Sequence, residues 1–167
     1  MNSIKKLTTA GVLVAASVCL SAFSIPIGAS MCYPIQHLVN VIAGVFLGPA
    51  YGVLMAFCTS LIRNFLGTGT IMAFPGSMVG AFFCGWLYQM TKKLPLAYVG
   101  EIFGTGILGG MLCYPIAVFV LGKEAALFTY VVPFLVSTVG GTVMAAILLT
   151  TMEKMGVLDK MKQMLNA

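Results

Sequence analysis

The chain has 167 residues, of which 60% are hydrophobic and 8% are charged. A soluble domain carries about 25% charged residues, so this composition excludes a soluble globular protein and predicts an all-α integral membrane protein. The net charge of +5 comes from lysines and an arginine dispersed at predicted helix ends, which argues against nucleic acid as a partner. The five cysteines form no CxxC motif and there is one histidine, so neither a disulfide framework nor a metal site is indicated.

Apolar runs recur along the whole chain, each close to the roughly 20 residues that a helix needs to cross a bilayer. The first run resembles a signal peptide, but it exceeds the usual core of at most about 15 residues, so we expect a retained first helix. Prolines and glycines mark the predicted helix ends. We predict a single transmembrane domain over 1–167, with six helices at about 7–24, 35–48, 50–66, 75–91, 96–121 and 127–152, and an amphipathic tail at 153–167.

The distribution of basic residues predicts that both termini lie in the cytoplasm. Cytoplasmic span ends carry an excess of lysine and arginine in membrane proteins. With the N-terminus inside, the outer ends of the helices receive only Arg63 and Lys123. The inner ends receive Lys5, Lys6, Lys92, Lys93, Lys154, Lys160 and Lys162.

Polar side chains gather at the predicted outer ends of neighbouring helices. Gln36, His37 and Asn40 begin the second helix, whereas Arg63 and Asn64 end the third, which runs in the opposite direction. A polar residue at membrane depth is costly and is by default a functional candidate, so we expect one pocket that opens outward. Amides, hydroxyls and imidazole suit a neutral heteroaromatic ligand. Further residues predicted at this depth are Thr68 and Thr70 of the GTGT loop, Ser77, Tyr114 and Tyr130.

Three ionisable residues also have simpler explanations. Arg63 stands near a helix end, where a long basic side chain can snorkel to the interface. His37, taken alone, fits a hydrogen-bonded packing residue as well as a ligand contact. For Glu101, near the predicted start of the fifth helix, we expect a charge favoured by the helix N-terminus beside Lys92 or Lys93, rather than a substrate contact.

Motifs for the common hydrolytic chemistries are absent. The chain has no GxxxxGK[ST], HExxH or GxSxG sequence. A catalytic site would have to work with one imidazole and one carboxylate distant from it in the predicted topology. We therefore predict no enzyme and no cofactor, and regard a membrane enzyme as the weakest of the functional alternatives.

Three segments together closely resemble the ThiW family: PIGASMCYPIQHLVNVIAGVFLGP, SLIRNFLGTGTIMAFPGSMVGA and GEIFGTGILGG. Members of this family are substrate-binding S components of energy-coupling-factor vitamin transporters, assigned to the thiazole precursor of thiamine. The resemblance implies a six-helix S-component bundle in a bacterial cell membrane, which binds hydroxyethylthiazole at its outward end. It also implies docking onto a transmembrane coupling subunit that works with two ATPase subunits, which would use the ATP.

Such proteins commonly dock through an AxxxA row on the first helix, and Gly11, Ala15 and Cys19 form a relaxed version of that row. Two alternatives stay open from the sequence. The ligand can be another thiamine-related compound, hydroxymethylpyrimidine or thiamine, although the positive charge of thiamine fits poorly near Arg63. The chain can also be a solitary channel or facilitator for a small solute.

Overall fold

The computed structural model describes residues 2–27 and 30–166, and these are mostly helical. A short β-hairpin between the first two helices makes the fold mostly, rather than wholly, α-helical. The helices are α1 (Asn2–Cys19, extended by a 3-10 turn at Leu20–Ala22), α2 (Pro34–Leu47), α3 (Pro49–Phe65), α4 (Ala73–Thr91), α5 (Leu94–Val120), α6 (Val131–Lys154) and α7 (Val157–Asn166), and the strands are β1 (Ile25–Ile27) and β2 (Ser30–Cys32).

Prolines and one glycine set the boundaries of the short helix α2. Pro34 begins α2 and Pro49 begins α3, positions at which the missing amide hydrogen costs no helical bond. Between them Gly48 has φ of 84°, a backbone conformation that side chains rarely allow. The helix therefore ends at Leu47, and α2 stays short, as the sequence predicted.

The helix α4 lies at the centre of the bundle and contacts α2, α3 and α5. Glycines allow the closest approach, because a Cβ atom on Gly104 of α5 would lie 2.8 Å from the Cα atom of Gly80 of α4. The sequence implied a uniform fifth helix, but α5 is not uniform. It widens to π geometry at Ile102–Gly109 and again at Ile116–Val120, directly after Pro115. Proline removes a helical hydrogen bond, and π-helical turns are frequent at functional sites.

The segment predicted to be an irregular linker after α1 pairs as an antiparallel hairpin. Ile25 pairs with Cys32, and Pro26 pairs with Met31. The amide of Tyr33 then donates a 2.8 Å hydrogen bond to Ser137 Oγ, which fastens the end of the hairpin to α6. The sequence does contain a signal for this hairpin, namely two short apolar segments on either side of a glycine. The two prolines of the segment argued instead for a break in regular structure.

Three of the described helices are long and apolar enough to cross a membrane: Ser3–Ala22, Leu94–Val120 and Val131–Lys154. The helix α2 is apolar but shorter. The first of these helices begins earlier in the chain than predicted, and the last begins later, at Val131 instead of near Leu127.

The start of α1, the turn between α4 and α5, and the helix α7 meet at one end of the bundle. Lys6, Lys92 and Lys162 line a cavity of about 430 Å³ there. Lys162 Nζ lies 4.4 Å from the centroid of the Tyr88 ring and donates a hydrogen bond to its hydroxyl. Burial lowers the pKa of Lys162, an effect that the nearby carboxylates of Asp159 and Glu153 oppose.

Candidate ligand-binding site

A cavity of about 480 Å³ lies at the opposite end, where α2, α4 and α6 begin and α3 ends. Met31 of β2 and Tyr33, which follows β2, line it on the hairpin side, and Phe134 of α6 also lines it. Its volume is in the range of pockets that hold small organic molecules. The predicted site residues that line the cavity are Gln36, His37, Arg63, Thr70, Ser77 and Tyr130.

Arg63 is buried in the cavity wall and does not snorkel. Its side chain is 1% exposed. One guanidinium nitrogen donates to Gln36 Oε1, and the other donates to the carbonyl oxygen of Thr68 at 2.9 Å. The ring centroid of Tyr33 lies 4.0 Å from Arg63 Cζ, a cation–π contact. The guanidinium therefore hydrogen-bonds to the side-chain oxygen of Gln36, and the amide hydrogens of Gln36 remain as donors for a ligand.

The expected position of Glu101 at the helix N-terminus is wrong. Glu101 lies about two turns inside α5, beyond the reach of the helix N-terminus, and it is 0% exposed. Its Oε1 atom accepts hydrogen bonds from Thr105 Oγ1 at 3.0 Å and Asn40 Nδ2 at 3.2 Å, and lies 3.0 Å from His37 Nδ1. A buried carboxylate needs such donors. The network connects α2 and α5 directly behind the cavity wall.

Four predicted site residues do not line the cavity. Asn40 lies behind it in the network with Glu101, and Thr68 contributes its carbonyl oxygen to Arg63. Asn64 Nδ2 donates to the carbonyl oxygen of Thr70 at 3.1 Å, which ties the GTGT loop to the end of α3. Tyr114 is half-buried on α5 and does not line the cavity.

These positions indicate a small-molecule site built from four helices and a hairpin. The profile of one protein family, ThiW, described as thiamine-precursor transporter protein, matches residues 7–155. The chain belongs to the ThiW family. The resemblance seen in the sequence is thereby confirmed, and the chain is a membrane protein of a family that transports a thiamine precursor. No match was found among curated proteins or among solved structures.

The charges around the cavity of this ThiW protein do not favour a cationic ligand. Arg63 and Lys123 line it, whereas the carboxylate of Glu101 lies behind His37. Among residues 2–27 and 30–166, no group of three or more His, Cys, Asp or Glu side chains is placed to hold a metal ion. The lining otherwise consists of amide, hydroxyl, imidazole, thioether and aromatic groups and of the apolar residues Ala73 and Pro133, which suits a neutral ring.

Sequence reasoning missed the face that α6 of this ThiW protein turns toward the cavity. Tyr130 was predicted, but Pro133, Phe134 and Ser137 also line the cavity. Their spacing of three and four residues places them on one face of a helix, and this pattern was available in the sequence. For Glu101 the signal was an acidic residue within an otherwise apolar run.

The predicted docking row on α1 of the ThiW protein is accessible. Gly11, Ala15 and Cys19 are all exposed. A Cβ atom added at Gly11 would meet nothing within 4 Å. Two similar rows of small residues, Gly52, Ala56 and Ser60 on α3 and Ser77, Ala81 and Gly85 on α4, are instead buried inside the bundle. The row on α1 thus differs from these two in being exposed.

Proposed function

We propose that this chain is the S component of an energy-coupling-factor importer and that its ligand is hydroxyethylthiazole, the thiazole precursor of thiamine. The chain binds the ligand at the outward end of six membrane-spanning helices in a bacterial cell membrane, with both termini in the cytoplasm. It docks onto a transmembrane coupling subunit, and two ATPase subunits of that complex hydrolyse ATP. The chain itself needs no cofactor and catalyses no reaction.

The observation that carries the proposal is the meeting of neutral polar groups from separate helices around one cavity. Gln36 and His37 come from α2, Ser77 comes from α4, and Tyr130 stands directly before α6. A thiazole ring with a hydroxyethyl arm offers a ring nitrogen that accepts hydrogen bonds and a hydroxyl that donates and accepts. Amide, imidazole and hydroxyl groups complement both, and the aromatic rings of the lining complement the ring faces.

The charges support a neutral thiazole over thiamine, which carries a fixed positive charge. Two cationic side chains, Arg63 and Lys123, line the cavity, and like charges at short range repel. A cationic ligand would be favoured by an acidic or aromatic cage. The carboxylate that the described residues place at the site is that of Glu101. Its Oε1 atom accepts hydrogen bonds from Asn40 and Thr105 and lies against His37 Nδ1, behind the cavity lining.

The arrangement of lysines supports the proposed orientation. Lys6 of α1, Lys92 at the end of α4 and Lys162 of α7 line the same cavity at the end of the bundle opposite the ligand site. Clustered lysines mark the cytoplasmic side of a membrane protein. The ligand cavity then opens outward, as binding from outside the cell requires.

A thermal-shift screen of the purified protein in detergent tests the ligand. A compound that binds only the folded protein raises its unfolding temperature, so hydroxyethylthiazole should raise it more than hydroxymethylpyrimidine or thiamine at equal concentration. A larger shift with hydroxymethylpyrimidine or thiamine would overturn the thiazole assignment. The absence of any shift with all three would overturn the site.

Reconstitution in vesicles tests the mode of transport. Labelled hydroxyethylthiazole should enter only vesicles that also contain the coupling subunit and both ATPases, and only with ATP. Uptake by vesicles that contain this chain alone would favour a solitary facilitator. A matched preparation with an ATPase variant that cannot hydrolyse ATP separates energy use from mere assembly.

A further inference from the structure

The buried carboxylate behind the cavity has an effect on what the cavity can bind. His37 both lines the cavity and contacts Glu101. A neutral imidazole has one nitrogen that donates and one that accepts, and the partner of the first decides which is which. The contact with Glu101 therefore sets the hydrogen-bonding character of the ring surface that a ligand meets.

The contact determines the tautomer. His37 Nδ1 lies 3.0 Å from Glu101 Oε1, and the same oxygen accepts from Asn40 Nδ2 and Thr105 Oγ1. Because this oxygen already accepts from two donors, it acts as an acceptor toward His37 as well. Nδ1 therefore carries the proton in the hydrogen bond between His37 and Glu101. Nε2 is left with a lone pair. Because Nδ1 is directed at the buried carboxylate, Nε2 is the ring nitrogen available in the cavity.

We propose that Glu101 is a positioning residue that fixes His37 in the Nδ1–H form, so that Nε2 accepts a hydrogen bond from a hydroxyl group of the ligand. The cavity then selects small neutral ring compounds that carry an alcohol and disfavours analogues whose alcohol is capped. Gln36, with its oxygen engaged by Arg63, presents donors to the ring nitrogen at the same time. The statement about the ligand rests on the proposed function; the statement about the tautomer does not.

The tautomer is directly measurable because the chain has a single histidine. Full-length protein labelled with ¹⁵N-histidine gives one pair of ring nitrogen signals, whose shifts distinguish protonated from unprotonated nitrogen. At neutral pH without ligand, Nδ1 should be protonated and Nε2 should not. A majority of Nε2–H tautomer, or a ring protonated at both nitrogens, would overturn the inference whatever the ligand is.

The role of Glu101 is tested by a ratio of affinities. Wild-type protein should bind hydroxyethylthiazole about tenfold more tightly than its methyl ether, because the ether leaves Nε2 without a donor. Glu101→Ala should reduce this ratio toward one, whereas Glu101→Gln, which keeps an acceptor oxygen for Nδ1, should retain it. If Glu101 had a merely structural role, Glu101→Ala would weaken the binding of both ligands equally. An unchanged ratio of affinities in Glu101→Ala would therefore overturn the proposal.

Thr138→Val is the matched control. It removes a buried hydroxyl of α6 at nearly constant volume, outside the hydrogen bonds that Glu101 Oε1 accepts, so the ratio should survive. A ratio lost equally in Thr138→Val would contradict a specific role for Glu101. If wild-type protein binds neither compound, the proposed function fails, while the ¹⁵N measurement still decides the tautomer. The same measurement covers the case in which Glu101→Ala does not fold.

Discussion

Tyr33 and Arg63 are paired in the wall of the ligand cavity, with the ring centroid of Tyr33 4.0 Å from the Cζ atom of the guanidinium. The pair connects the residue that follows the hairpin to the end of α3. Tyr33→Phe should preserve ligand affinity because it keeps the ring. Tyr33→Leu should lower the affinity by about 1 kcal/mol, roughly fivefold, since a buried cation loses its aromatic partner. Titration calorimetry of both variants checks this, and equal effects would show that the hydroxyl, not the ring, matters.

Arg63→Lys should weaken both the fold and ligand binding although it keeps the charge. A lysine has a single nitrogen and cannot serve Gln36 and the Thr68 carbonyl in the planar geometry of a guanidinium. We expect a loss of about 1–3 kcal/mol, seen as a lower unfolding temperature and as weaker binding in calorimetry. Lys123→Gln removes the other cation of the lining and, for a neutral ligand, should leave the affinity nearly unchanged. A strong loss in Lys123→Gln would indicate an anionic ligand.

Gly80→Ala should destabilise the protein and disturb the site. The added Cβ atom would clash with Thr105 Oγ1 and lie 2.8 Å from Glu101 Oε2, both fully buried. Overpacking of this kind costs about 1–3 kcal/mol. The matched control is Gly11→Ala, also within a helix, where the new atom meets nothing within 4 Å. Thermal unfolding in detergent should show a loss for the first variant only, and equal stabilities would contradict the close packing of α4 against α5.

The sequence allowed the helical order and much of the cavity to be predicted, because both depend on local patterns. Apolar length and proline positions define helices such as α2. Polar residues at the ends of α2 and α3 are brought together by the antiparallel course of consecutive helices, which a short connection enforces. For this reason the sequence predicts Gln36, His37 and Arg63 in one pocket, and all three line the cavity.

Contacts between helices distant in sequence were not predictable in the same way. Glu101 contacts His37 in a bundle where glycines such as Gly80 and Gly104 let α5 approach α4 closely. The distance between two helices depends on how their side chains pack, and local sequence patterns do not specify it. The single rule that an acidic residue inside an apolar run is functional by default would have singled out Glu101. The role of Asn64 in fixing the GTGT loop depends on the loop conformation, which the four residues do not specify alone.

Ala15→Leu tests the predicted docking face of α1. Ala15 is exposed, and a larger side chain would prevent another helix from approaching the row of small residues. Ligand binding by the isolated protein should be unchanged, whereas ATP-dependent uptake with the partner subunits should fall strongly. Val143→Leu on α6, 52% exposed, is the control and should transport normally. Normal uptake by Ala15→Leu would show that the row faces lipid.

The central claim is that the cavity between α2, α3, α4 and α6 holds a thiamine precursor. Titration of hydroxyethylthiazole into the purified protein, compared with Gln36→Ala and with the exposed control Gln163→Ala, tests it most directly. We predict saturable one-to-one binding that is weakened about tenfold or more by Gln36→Ala, since a buried hydrogen bond and the support of Arg63 are both lost, and that is unaffected by Gln163→Ala. No saturable binding of any thiamine precursor, or binding that Gln36→Ala leaves unchanged, would contradict the account.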